Sequence, residues 1–200
     1  MVAAPASQLK DHFSVLGVKR RFGLDKSELE TRFYKLSREL HPDRFATGSM
    51  DERRQALEKM SLVNEAYRVL KDPDQLRDYF LKLVLGGGDS PKKGQIPVEL
   101  AESWFELQEV LMENPAEGQL RVEEFKRELA SLREKKMSDI RAFEIELNEK
   151  LDSLEASGIL PSASYPKELF EKLAAMTRDL NYLESMERDV ERIGGKRNVG

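Results

Sequence analysis

Apolar positions recur three and four residues apart along nearly the whole chain, and no segment alternates as a half-buried strand would. This pattern predicts helices throughout. A short first helix is expected over about 11–17, with Phe13 and Leu16 apolar. A second begins after Asp25, an N-cap candidate with Glu28 three residues on, and carries the stripe Leu29, Phe33, Leu36, Leu40. It must stop near His41, because Pro42 disfavours the α conformation in the residue before it. Ser49 and Glu52 form a capping-box pattern for a third helix, with Ala56, Met60, Val63, Tyr67 and Leu70 on one face. A fourth opens with Asp72 as N-cap, Pro73 at the first helical position and Gln75 to close the box, and is lined by Leu76, Tyr79, Phe80 and Leu83.

The stretch GGGDSPKKGQIP at 86–97 interrupts the periodicity and reads as a linker. Three longer helices follow. The first, over about 97–113, has the seam Leu100, Trp104, Leu107, Leu111. The second, over about 118–156, carries Phe125, Leu129, Leu132, Ile140, Phe143, Leu147, Leu151 and Leu154. The third, over about 166–193, carries Leu169, Leu173, Met176, Leu180, Leu183, Val190 and Ile193, after a turn in SGILPSAS at 157–164. These spacings suit an antiparallel helical bundle. The fold class is therefore all-α: an N-terminal tail over 1–10, a first helical domain over 11–85, a linker over 86–96, a three-helix domain over 97–195, and a tail over 196–200.

Composition narrows the chemistry. Charged residues make up 35% and hydrophobic residues 40%, enough apolar content for a core in a helix-rich chain. No apolar run approaches the roughly 18 residues that a membrane span needs, and the start MVAAPASQLKDHF lacks the apolar core of a signal peptide. An intracellular protein that binds no membrane is expected. With no cysteine and only two histidines, disulfides, thiolate ligands and cysteine nucleophiles are excluded, and neither a resident metal nor another cofactor is expected. The net charge of −4 is uneven: residues 1–85 hold 16 Lys+Arg against 13 Asp+Glu, and the remainder 17 against 24. The halves are expected to face different partners, and neither is basic enough to suggest nucleic acid.

One stretch, LHPDRF at 40–45, concentrates candidate chemistry. His41 and Asp43 could act as base and orienter, but Pro42 stiffens the turn, and such close neighbours do not ordinarily converge on one substrate atom. No nucleophile elbow or phosphate-cradling loop completes a site. A second reading is a helix stop in which His41 caps the preceding carbonyls. A third is a docking surface: with the Leu29–Leu40 stripe inward, Tyr34, Lys35 and Arg38 face solvent beside a turn carrying Asp43 and Arg44.

The HPD triplet between two antiparallel helices, preceded by FSVLGV and followed by NEAYRVLKDP, resembles the J domain of DnaJ-type co-chaperones over about residues 11–85. The resemblance implies that His41, Pro42 and Asp43 contact a DnaK-type chaperone and stimulate its ATP hydrolysis, with Lys35 and Arg38 on the docking face of the second helix. The protein would then regulate a partner's active site and have no catalytic residues of its own. The extra stretch GLDKSELETRF and the phenylalanine in HPDRF are similar to the HscB branch, the co-chaperones of iron–sulfur cluster biogenesis. That likeness implies an HscA-type chaperone and an IscU-type scaffold as partners, a monomer, and a bacterial cytoplasm in preference to a mitochondrial matrix. A J protein holding another client, or a helical assembly protein with no chaperone partner, are the alternatives.

HscB proteins present a hydrophobic and acidic patch to the scaffold. In the first helix after the linker, Phe105 is too large to leave on a solvent face without a reason; Ala101 and Met112 fall beside the seam, and Glu106 and Glu109 lie next to it. Tyr182 sits one place off the Leu180–Leu183 seam. Leu100, Ala101, Phe105, Glu106, Glu109 and Tyr182 are the expected scaffold contacts. Glu102 and Ser103 stand where the family tends to carry apolar residues. A wider core seam would account for Phe105 instead.

Overall fold

A computed structural model describes residues 11–86, 98–157 and 165–195. The linker over 87–97, both tails and most of the 157–164 turn lie outside the described residues. Every regular element among the described residues is helical: α1 (His12–Leu16), α2 (Lys26–Glu39), a single 3₁₀ turn (Pro42–Phe45), α3 (Met50–Leu70), α4 (Pro73–Leu85), α5 (Val98–Glu113), α6 (Pro115–Ala156) and α7 (Lys167–Gly195). They fall into two compact units divided between Gly86 and Gly87.

In the first unit, local signals set the helix ends. The Asp25 side chain accepts from the Glu28 N–H, and Asp72 accepts from the N–H groups of Asp74 and Gln75. Ser49 and Glu52 close a complete capping box, satisfying donors that the start of a helix leaves without intrahelical partners. Gln75 does not close a box at α4: its side-chain oxygen accepts from Arg68 at 3.0 Å. Gly17 ends α1 at φ 66°, a left-handed conformation that glycine adopts without the Cβ penalty. Arg32 of α2 donates to the Gly17 carbonyl and so ties this turn to α2.

The core of this unit is aromatic on one side and aliphatic on the other. Phe13 of α1 meets Phe80 of α4 edge-on at 5.1 Å between ring centroids, and Phe22 lies 4.9 Å from Phe80. Leu29, Ala56, Val63, Ala66, Leu70 and Leu76 fill the remainder. Phe33 stacks on Tyr67 at 4.2 Å and pins α2 to α3. Leu83, expected on the core face of α4, is 39% exposed; the buried set runs through Leu76, Phe80 and Val84, with Arg77 and Leu81 beside it. Spacings of three and four fitted either register, and packing selected the other.

The second unit is built on the length of α6, 42 residues or about 63 Å. The much shorter α5 covers only its N-terminal part, where Leu100, Leu107, Leu111, Val122, Phe125, Leu129, Leu183, Met186 and Val190 form one core. Trp104 packs on this core and lies 5.6 Å from Phe125. Further along, α6 pairs with α7 through Ile140, Phe143, Leu147 and Leu151 against Phe170, Leu173 and Leu180, all buried. Lys136 to Asp179 at 3.0 Å and Arg133 to Glu187 at 3.2 Å bridge the two helices. Phe170 takes the buried place where the seam was read at Leu169, which is half-buried.

Candidate functional site

The HPD segment forms a short, internally bonded turn. Leu40 ends α2 with its N–H on the Leu36 carbonyl, and His41 then adopts extended backbone at φ −60°, ψ 133°, the region imposed on a residue before proline. Pro42 starts the 3₁₀ turn, and the Arg44 N–H closes it on the His41 carbonyl at 3.0 Å. The His41 Nδ1 accepts the Asp43 backbone N–H at 3.3 Å. His41 therefore caps the turn that follows it, not the carbonyls of α2 as the helix-stop reading expects. Arg53 of α3 holds the far side, donating to the carbonyls of Ala46 and Gly48 at 2.7 and 3.2 Å.

The side chains that this turn displays are open to solvent. The Asp43 carboxylate is 89% exposed and the His41 ring 59%, with Asp43 Oδ2 at 3.4 Å from His41 Nδ1. The two come closer than the dyad argument from sequence anticipated, but Nδ1 is already engaged by the backbone. In the neutral imidazole that places the proton on Nε2 and leaves Nδ1 no free lone pair for a substrate. Pairing at this exposure stabilises the turn very little. Among the described residues, no cluster of three or more His, Cys, Asp or Glu could hold a metal ion.

Tyr34, Lys35 and Arg38 lie exposed along α2, with Arg44 in the turn beyond. Arg38 is in the last turn of α2, where a cation also opposes the negative end of the helix dipole. No ion pair or hydrogen bond engages the Lys35, Arg38 or Arg44 side chain among the described residues. Arg32, by contrast, is held by Glu28 at 2.7 Å. The free cations and the acidic tip thus share one end of the α2–α3 hairpin.

In the second unit the expected contact residues separate. Leu100 is 2% exposed and belongs to the core, so it supports the surface from beneath and offers nothing to a partner. Ala101 is half-buried, Phe105 is 71% exposed, and Glu109 is exposed. Glu106 is exposed but faces α6, where Arg121 binds it at 3.0 Å. Tyr182 is half-buried and packs against the α5–α6–α7 core.

A model of the DnaJ domain matches residues 11–79, the span that contains the tip and the α2 face just described. Residues 11–79 are thus similar to a DnaJ domain. Co-chaperone protein HscB of Proteus mirabilis is 42% identical over 73 residues, which are 36% of this chain and 42% of that protein. The HscB homolog of Bordetella pertussis is 48% identical over 63 residues, 32% of this chain and 37% of that protein. The chain thus spans about two fifths of the length of these curated relatives. Among solved structures, chaperone HscB from Vibrio cholerae matches with a TM-score of 0.55 at 23% identity, covering 93% of this chain and 98% of that one. Human co-chaperone protein HscB matches with a TM-score of 0.56 at 21% identity, covering 98% and 87%. The fold of a J domain followed by a C-terminal helical unit is therefore shared with HscB.

Two features of the J domain escaped the sequence. Arg53 belongs to no motif in the sequence, yet it fixes the HPD turn through two backbone carbonyls. Phe45 is half-buried in the turn that packs on α3, so the aromatic after the basic residue helps to seat the tip. Neither role carries a local pattern, because each depends on where α3 returns past the turn.

Proposed function

We propose that this chain is a co-chaperone that stimulates the ATPase of a DnaK/HscA-type chaperone through His41–Pro42–Asp43 and delivers an IscU-type iron–sulfur scaffold to it through the C-terminal unit. The observation that carries the reading is the HPD turn. It is fixed from within by the His41 cap and from outside by Arg53, while its carboxylate stays 89% exposed beside the unpaired Lys35 and Arg38. A pre-ordered tip forfeits little conformational entropy on binding. Lys35, Arg38 and Arg44 supply attraction and register toward an acidic surface, Tyr34 adds apolar contact, and Asp43 can pair with a partner arginine. Hydrolysis then occurs in the partner, and no residue of this chain handles the nucleotide.

The client half of the reading rests on Phe105, an aromatic ring left on the surface of α5 with Ala101 and Glu109 near it. Tyr182 and Glu106 are the outer contacts, and Leu100 drops out of the set. A bacterial cytoplasm and a monomer complete the proposal. Single-turnover ATPase of the cognate chaperone should rise with this protein, and Asp43→Asn should remove at least about nine tenths of the stimulation while leaving helicity unchanged. No stimulation by the unaltered chain would overturn the J-protein reading. A different client remains the second reading, because the DnaJ match ends at residue 79 and the C-terminal unit is likened to HscB by fold alone. Capture of the scaffold by the purified full chain separates the two.

A further inference from the structure

The two most exposed large apolar side chains among the described residues are both methionines, Met112 at 83% and Met50 at 81%. Met112 lies seven residues beyond Phe105 on α5, two helical turns along the same face. Between and before them stand Glu102 and Glu109, so the order Glu102, Phe105, Glu109, Met112 alternates carboxylate and apolar at spacings of three, four and three. Glu102, Glu109 and the neighbouring Glu113 are exposed and have no ion-pair partner among the described residues, whereas Glu106 is neutralised by Arg121 on the other flank. The stripe thus fits a partner surface of apolar residues set among lysines or arginines.

We infer that Met112 is an oxidisable contact of the client-binding stripe, and that conversion of its thioether to the sulfoxide releases the client. This rests on the reading of α5 as the client face. The chain has no cysteine, so thiol-based redox chemistry within it is impossible, and the thioethers are the remaining sulfur. Among the described residues, Met60, Met137 and Met176 are half-buried and Met186 is buried, which leaves Met112 and Met50 the most accessible there to a peroxide. In the step, a lone pair on Sδ of Met112 attacks one oxygen of hydrogen peroxide. An S–O bond forms, the O–O bond breaks, and proton transfer releases water; sulfur is oxidised by two electrons and the peroxide reduced by two. The product is a polar, chiral group where a flexible apolar one stood. Because Met112 is exposed, the change costs the folded chain almost nothing and is read only at the interface.

The test is binding of the full chain to purified IscU-type scaffold before and after limited hydrogen peroxide treatment, with sulfoxides located by mass spectrometry. Oxidation at Met112 should weaken binding at least about fivefold, Met112→Gln should reproduce the loss without oxidant, and the affinity of Met112→Leu, whatever its starting value, should not fall on treatment, as expected for an apolar contact removed from an interface. Circular dichroism should stay unchanged in all three. Stoichiometric Met112 sulfoxide with unchanged affinity overturns the inference, as does equal peroxide sensitivity in Met112→Leu. If Phe105→Ala weakens binding while Met112→Gln does not, the client-face reading stands and the Met112 assignment falls. If neither matters, or the scaffold does not bind at all, both fall.

Discussion

The HPD turn of the J domain and the α5 face of the C-terminal unit are both candidate contact surfaces, but they are built by opposite means. The turn is specified by covalent geometry and short-range hydrogen bonds: proline fixes a dihedral, His41 caps the turn, and Arg53 clasps two carbonyls. The α5 face is specified by remainder. Leu100, Leu107 and Leu111 are drawn into the core, and whatever the helix then presents outward becomes the surface. A surface of the first kind is sensitive to single local bonds. One of the second kind tolerates local change and is lost when the packing beneath it shifts.

The largest effects should come from the cores beneath the two surfaces. Phe125→Ala removes a fully buried ring against which Trp104 packs, and should destabilise the C-terminal unit by about 3–5 kcal/mol. Phe80→Ala should cost the J domain a similar amount. Urea unfolding followed by circular dichroism reads both. The comparison sharpens if Phe125→Ala abolishes scaffold binding while chaperone stimulation persists, and breaks if stimulation is lost first.

A smaller effect is expected at Gly118, near the start of α6. A Cβ there would meet Leu111 Cδ2 at 2.8 Å and the Leu111 Cα at 3.0 Å, so α5 and α6 can approach only because this residue is glycine. Gly118→Ala should destabilise the unit by about 1–3 kcal/mol and weaken client binding without touching any contact residue. Better helix propensity would act the other way by about 1 kcal/mol, so a stabilised variant would show that the helices separate freely. Next comes Ser49→Ala, which opens the capping box of α3 and should cost about 1 kcal/mol of stability, seen as a lower urea midpoint. Because α3 carries Arg53 four residues on, a loss of chaperone stimulation beyond that cost would show that the cap also orders the tip.

Legibility in the sequence follows the same division. The helix starts at Asp25, Ser49 and Asp72 were readable because a cap is a local code, a side-chain oxygen two or three residues from the backbone N–H that donates to it. The end of α2 before Pro42 was readable because proline acts on its neighbour's backbone, whereas the direction of the His41 cap was not. Leu83 was placed on the core face, and Leu169 on the seam in place of Phe170, because a stripe at three-four spacing defines a face only to within one register, and the neighbouring helix makes the choice. Leu100 was assigned to both core and contact surface; only packing could remove it from the second. Glu106 appeared equivalent to Glu109 until Arg121, fifteen residues later, folded against it. Such long-range pairs have no signature in the spacing of either partner.

The smallest expected effect concerns pH, and it probes the contact between α1 and α4. His12 stacks on Tyr79 at 4.2 Å and its backbone N–H donates to the Tyr79 hydroxyl at 2.9 Å, joining α1 to α4. Burial lowers the His12 pKa below its ordinary 6.5; Glu65 and Asp11 pull it back upward, and Arg68 adds to the lowering. The folded chain therefore binds fewer protons at this site than the unfolded chain. The stabilisation from His12 is complete above about pH 6.5 and is lost as pH falls through the lower folded value. His12→Phe keeps a ring for the stack and removes the titration. Urea midpoints of the two proteins should differ by a constant at pH 7.5 and above, and the unaltered chain should lose ground between pH 6.5 and 5.5. Parallel curves over that interval would mean that His12 titrates alike in both states, and that burial in the α1–α4 stack does not oppose its protonation.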